Sequence, residues 1–295
     1  MNFPTSPAFF PWKPAAWLRV TGSDAPGFLQ GQFTNDLRDI LPNRAVYGLW
    51  LNVKGRVIAD SFVIRGEAPN ELWVGSYFSA AGTIRERLES FVVADDVVVE
   101  DATSDWSAVT LLGEGMAALA QAARGGFVFP GRRGSGDGTE WVFPATETAA
   151  VQMRIAGVRE AEHAEMARRR IEAGIPAVPA DVGPGDLPNE GGLEDAAISY
   201  TKGCYLGQEV IARLKSMGQV RRRLWRVTGP GAEIPRLPAA LFLGARQVGE
   251  LRSAVGDGAG GLVGMAMLSL LQVDGNAMLA LAPDAAPMVR LLAQP

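Results

Sequence analysis

Residues 199–213 read SYTKGCYLGQEVIAR and contain the only cysteine of the chain, Cys204, two positions after Lys202. If Lys202-Gly203-Cys204 is extended, residues two apart point to one side and ammonium can meet thiol; in a helix they would sit roughly 200° apart. Gly203 permits a strained or closely approached backbone and so favours the extended form. Val210, Ile211 and Leu214 recur at helical spacing, which predicts a helix over Leu206–Leu214 with Cys204 just before its N-terminus. A cation and a helix N-terminus beside a thiol both favour the thiolate, the form that attacks and ligates. The competing reading is a buried structural cysteine with Lys202 reaching solvent. On these residues alone the two readings stand level.

Composition narrows the chemistry. The 295 residues suffice for roughly two or three units with cores of their own. An apolar fraction of 47% and a charged fraction of 20% are those of a soluble globular protein. Leu262–Met267 and Val97–Val99 are too short to span a bilayer. The start, MNFPTSPAFFPWKPAAW, lacks the basic segment and apolar core of a secretory signal. A single cysteine fits a reducing cytoplasm or an organelle matrix; a cytoplasmic protein without a membrane partner is the expectation. A lone cysteine excludes an internal disulfide and a four-thiolate cluster held by this chain alone. The single histidine, His163, excludes a His-rich metal centre, so no metal site is expected. His163 lies among charged residues with no sign of pairing to Cys204, which argues against a cysteine hydrolase. A net charge of −4 argues against direct nucleic-acid binding. The absence of heptads points to a monomer.

Along the chain, Trp17–Val20 reads as a strand, Thr21-Gly22-Ser23-Asp24 as turn and cap, and Phe28, Leu29 and Phe33 as the apolar face of a helix. A weaker copy follows at Trp106–Leu112, Gly113-Glu114-Gly115 and Met116–Ala123, which predicts two related α+β units. Tyr47–Val53 and Val57–Ile64 flank a turn at Asn52–Gly55; Leu72–Gly75 is a further strand, and Ser79–Phe91 an amphipathic helix. Gly131–Gly138 is a loop joining Phe127–Phe129 to Trp141–Phe143 in a hairpin. It lacks the Lys-Ser/Thr pair of a phosphate loop. A helix is predicted from Arg159 to Ala173, stopped by Gly174, before a long Pro-, Gly- and Asp-rich loop, Ala177–Gly192. From Arg223 onward short strands predict a β-rich C-terminal domain. Arg213, Lys215 and the arginines of 221–226 could clamp a small polyanion, or could form an exposed, alternately charged strand.

TKGCYLGQEVIAR closely resembles the K-G-C-[FY]-x-G-Q-E signature of the YgfZ family, relatives of the glycine-cleavage T-protein, an aminomethyltransferase. LRVTGSDAPGFLQGQFTNDL, WLNVKGRVIADSFVIR, RRRIEAGIP, LPNEGGL and VGELRS are similar to further blocks of that family, in the expected order. The resemblance implies an α+β fold of the aminomethyltransferase type: a ring of two interleaved ferredoxin-like α+β units and a C-terminal β-barrel. The implied domains are 1–47 with 145–220, then 48–144, then the barrel at 221–295.

The resemblance also implies that the opening of the ring binds tetrahydrofolate or a derivative. Glu172 would be the carboxylate for the pterin. Asp60, Leu51 and Asn52 would line the same opening, and Arg213 would be among the cations near the anionic tail. Cys204 would be the working thiol and Lys202 the group tuning it. T-proteins carry paired aspartates where this chain has Ala59-Asp60, lack the cysteine signature, and have a Gly- and Tyr-rich segment near the position of GDGTEWVFP. These departures favour a folate-dependent factor for assembly or repair of iron–sulfur clusters, partnered with iron–sulfur proteins or their assembly machinery, with an indirect effect on tRNA methylthiolation. The alternatives are a tetrahydrofolate-dependent aminomethyl- or one-carbon transferase, and a non-catalytic scaffold that retains the fold. Whether the chain turns over a substrate stays open.

Overall fold

Three sheets carry the chain in this computed structural model, which describes residues 6–41, 44–121, 126–136, 138–231 and 233–292. The first sheet has the order Ala45–Leu51, Val57–Arg65, Leu72–Ser76, Ala16–Thr21, Val98–Asp101, with every pair antiparallel. Helices Ala25–Gln32 and Ala81–Glu89 cover one face through Leu29, Ile84 and Leu88, packed on Leu18, Val20, Trp50 and Val63. Pro26 sits in the first turn of its helix, where a missing N–H costs nothing. The interior strand Val57–Arg65 is buried on both faces, so its apolar residues run on without a strict alternation.

The second sheet has the order Arg159–Glu160, Ala8–Trp12, Trp106–Leu112, Gly138–Pro144, Phe127–Pro130. It packs on the first through an aromatic core. The fully buried Trp17 ring lies 5.7 Å from Trp73, 5.5 Å from Trp106 and 5.4 Å from Phe127. Such ring pairs add to what area burial alone supplies. The two units interleave, since Ala8–Trp12 joins the later sheet before the chain builds the earlier one. A boundary at residue 47 falls inside the strand Ala45–Leu51, and residues 48–144 divide between the two sheets. The strand-turn-helix repeat is visible in sequence; which strands exchange hydrogen bonds is set by register and is not.

Residues 222–291 form a six-stranded sheet, and reciprocal 2.9 Å backbone hydrogen bonds between Phe242 and Ala280 bring its two edges together into a nearly closed barrel. Closure removes the exposed edge groups that invite mispairing. One core joins the first sheet to the barrel through the linking segment, residues 163–217: Leu49 and Leu51 from the first sheet, Ile171, Tyr205 and Ile211 from the linking segment, and Met265 and Met267 from the barrel.

The helices expected at Ser79–Phe91 and Leu206–Leu214 run Ala81–Glu89 and Gln208–Met217, and two others depart further from their sequence-based bounds. The predicted helix from Arg159 begins at His163, because Arg159–Glu160 instead pairs in parallel with Ala8–Phe9. It ends as expected before Gly174, whose φ of +69° suits glycine. Of the predicted helix Met116–Ala123 the structure shows Ala118–Gln121, and Ala122 and Ala123 lie outside the described residues. Among the described residues no helix is long and apolar enough to cross a membrane.

A buried ion pair fastens the linking segment to the barrel. Arg170 donates to Asp181 Oδ2 at 2.6 Å, to the Ile175 carbonyl at 2.7 Å and to Ser253 Oγ at 3.2 Å. Asp181 also accepts from the Ala177 N–H and the Ser253 hydroxyl. Asp181→Ala strands a guanidinium in a dry site, so urea unfolding should show a loss of about 3–5 kcal/mol. Adding Arg170→Met should recover part of it.

Candidate functional site

The signature loop is stitched to the first unit at several points. Lys202 is only 5% exposed, and its Nζ donates to the carbonyls of Gln30 at 2.6 Å, Phe33 at 2.7 Å and Asn35 at 2.9 Å. Those carbonyls lie at and beyond the end of helix Ala25–Gln32, where unpaired backbone acceptors collect. The Ser199 and Leu206 amides donate to the carbonyls of Thr34 and Gly31 at 3.1 and 3.2 Å. Tyr205 is buried in the joint core.

Gly207, at φ +84°, caps helix Gln208–Met217; a side chain there would place its Cβ 2.7 Å from the Asn52 carbonyl oxygen. Gly55, at φ +69°, packs its Cα against the same glycine. The loop therefore seats on the Asn52–Gly55 hairpin tip, which Asn52 itself shapes by accepting the amides of Lys54 and Arg56. Between these anchors Cys204 is exposed and free.

This corrects the expected role of Lys202. An ammonium has three protons, and all three are given to carbonyls rather than to Cys204. Burial draws the ammonium down to about 8 against the opposing pull of Asp36. Lys202 holds the loop in place; it does not face the thiol.

A second constellation lies where the Gly131–Gly138 loop meets both sheets. Asp60 is buried and accepts from Ser76 Oγ at 2.8 Å, Ser79 Oγ at 2.8 Å and Tyr47 Oη at 3.1 Å. Glu140, fully buried, accepts from Trp12 Nε1 at 3.0 Å, Tyr77 Oη at 3.0 Å and Thr110 Oγ1 at 2.7 Å. Two consecutive arginines answer these two acids. Arg132 lies 4.4 Å over the Tyr47 ring near Asp60. Arg133 sits between Trp12 at 4.3 Å and Tyr77 at 4.1 Å, with Nε 3.5 Å from Glu140 Oε1. Burial pushes Asp60 and Glu140 above the usual carboxylate range, in spite of their hydroxyl donors and the arginines. Burial and the adjacent carboxylates push Tyr47 and Tyr77 well above the usual phenol value. Beside this cluster Phe78 is 43% exposed, 5.9 Å from the Arg133 guanidinium and 6.0 Å from that of Arg170.

Sequence reading singled out Asp60 but not Glu140, Tyr77 or the arginine pair that the structure places in the same cluster. One signal was available: Glu140 shares a strand face with the core residue Val142, an unusual place for a carboxylate.

The remaining predicted site residues do not converge on one point. The Glu172 side chain is more than half exposed, 4.0 Å from Arg168 one helical turn earlier, while its carbonyl accepts Arg226 at 2.6 Å. Leu51 is a core residue whose carbonyl accepts Arg87 Nε at 2.9 Å. Arg213 is exposed, and it lies on helix Gln208–Met217 rather than on a strand. The basic run around it disperses: Lys215 lies 3.5 Å from the Tyr200 ring centroid and Arg222 pairs with Asp186 and Glu190. His163 is exposed, edge-on to Phe10 at 4.9 Å.

Residues 9–125 match the family model of the GCVT N-terminal domain. The Homo sapiens mitochondrial iron-sulfur cluster assembly factor IBA57 is 29% identical over a 299-residue alignment, spanning 89% of this chain and 80% of that protein. The crystal structure of glycine cleavage system aminomethyltransferase T from Bartonella henselae superposes with a TM-score of 0.80. That match covers 98% of this chain and 86% of the other at 18% identity. The α+β fold of the aminomethyltransferase type expected from the signature is the fold this chain adopts.

Lys202→Met leaves three carbonyls without their donor, and calorimetry should show a loss of about 3 kcal/mol. The pH dependence has a defined sign. Between pH 8 and roughly 10.4 the unfolded chain keeps a proton that native Lys202 has released. The stability of the unmutated protein relative to Lys202→Met should therefore rise with pH across that window.

Proposed function

We propose that this chain binds a reduced folate, tetrahydrofolate or a derivative, and supports the assembly or repair of iron–sulfur clusters, with Cys204 as its working thiol. The observation that carries the reading is the exposed Cys204 set between the buried, anchored Lys202 and Tyr205. A loop held by glycine contacts and three ammonium hydrogen bonds presents one thiol in a fixed place. The likeness to a protein named as an iron-sulfur cluster assembly factor supports the role. The GCVT N-terminal domain match supports the folate relationship.

The residues beside the arginine pair suit folate in kind. Phe78 offers a solvent-facing ring to a planar pterin, with the guanidinium groups of Arg133 and Arg170 within about 6 Å of that ring. Asp60 Oδ2 takes one protein donor and so keeps capacity for a pterin N–H; Glu172, the carboxylate implied by the family signature, is the exposed alternative. Bound folate would supply the one-carbon or redox chemistry, and these residues would hold and orient it. Among the described residues no three His, Cys, Asp or Glu side chains form a metal-binding group. A cluster touching Cys204 would therefore take its other ligands from the partner iron–sulfur protein. We place this work in the cytoplasm, by a monomer without nucleic-acid binding, with any effect on tRNA methylthiolation passing through cluster enzymes.

Calorimetry with tetrahydrofolate should show binding that Phe78→Ala weakens by roughly tenfold. In a strain lacking the gene, Cys204→Ser should bind folate normally yet fail to restore cluster-enzyme activity. Full restoration would remove the thiol from the reading, and absent binding would remove the folate. Methylene-folate formation with a glycine-cleavage carrier protein would reassign the chain to aminomethyl transfer.

A further inference from the structure

Helix Thr148–Arg154 leaves a cleft open along the strands Ala8–Trp12 and Trp106–Leu112, with a volume of about 520 Å³. Its walls include Phe9, Pro11, Val109, Phe143, Val151 and Ile155. That size, roughly 300–1,000 Å³, and that apolar lining belong to small-molecule sites. Polar groups also line it without commitments of their own. Lys13, Ser107 and Gln152 face the cleft, and among the described residues none has a side-chain hydrogen bond or ion pair.

The cleft has a polarity. Lys13 follows the last residue of Ala8–Trp12, whereas Glu160, also in the lining, pairs with Phe9 near the other end of that strand. Four residues of strand separate the two positions, about 13 Å. An anionic group is attracted at the Lys13 end and repelled at the Glu160 end. We infer that this cleft is a binding site for an apolar small molecule carrying a single anionic head, such as a medium-chain carboxylate, with the head at Lys13 and the body along Phe9–Pro11.

The site is separate from the Cys204 loop. It meets the arginine cluster only at Trp12, which lines the cleft and also donates to Glu140. The inference therefore stands or falls independently of folate binding.

Calorimetry of the full chain with decanoate and with decyltrimethylammonium, both below their micelle concentrations, tests it. Decanoate should bind with a dissociation constant on the order of 0.1 mM and in preference to the cation. Lys13→Glu should weaken decanoate roughly fivefold, as expected for an exposed charge, and narrow or reverse the preference. Ala156→Trp and Gln152→Trp start from exposed lining residues and fill the cleft without opening the core; either, melting like the unmutated protein, should abolish binding. No decanoate binding at about 1 mM, ten times the expected constant, would overturn the inference. So would unchanged binding in both tryptophan variants, and an unaltered charge preference in Lys13→Glu would overturn the placement of the head.

Discussion

The ammonium of Lys202 occupies the end of helix Ala25–Gln32, and the arrangement of the signature loop follows from it. A helix terminus leaves carbonyls without donors, and a cation there is doubly favoured, by hydrogen bonding and by the helix dipole. Three protons meet three carbonyls, which offsets part of the cost of burying the charge. The contact joins residues about 170 positions apart in the chain. With that anchor and the Gly207–Asn52 approach in place, Tyr205 enters the joint core and Cys204 is left outside it. A thiol on a mobile loop would sample many positions; this one is presented from a backbone held on both sides.

The arginine pair provides the second fixed point. Asp60 belongs to the first sheet and Glu140 to the second, and each receives a tyrosine hydroxyl and faces one of two adjacent arginines. Buried acids are tolerated when hydroxyls and cations surround them, and here both cations come from a single loop. That loop consequently bridges the two sheets and sets Phe78 beside Arg133. Trp12 extends the same cluster to the wall of the apolar cleft, so the two candidate ligand sites share this one residue.

Much of the fold was legible because it rests on local patterns. The strand-turn-helix repeat, the Asn52–Gly55 turn, the hairpin around Gly131–Gly138, the helix stop at Gly174 and the β-rich C-terminal part all appear where periodicity and glycine placement put them. The failures occurred where a distant partner intervened. Arg159–Glu160 leaves its helix because Ala8–Phe9 offers a strand edge, and Ala45–Leu51 stays with Ala16–Thr21 in one sheet despite the expected boundary. Ser79 reads as the start of a helix but serves as a buried donor to Asp60.

The sequence by itself determined that one thiol stands in a Lys-Gly-Cys context, that the chain has no second cysteine and no second histidine to complete a site around it, and that α+β units are followed by a β-rich C-terminal part. Those are matters of residue count, spacing and local propensity. Only the tertiary structure decided that Lys202 turns inward to a helix end while Cys204 turns outward, and that Glu140, Tyr77, Arg132 and Arg133 form one cluster. The reason is physical: a side chain's direction depends on which acceptors the rest of the chain brings within about 3 Å of it, and no local pattern encodes those.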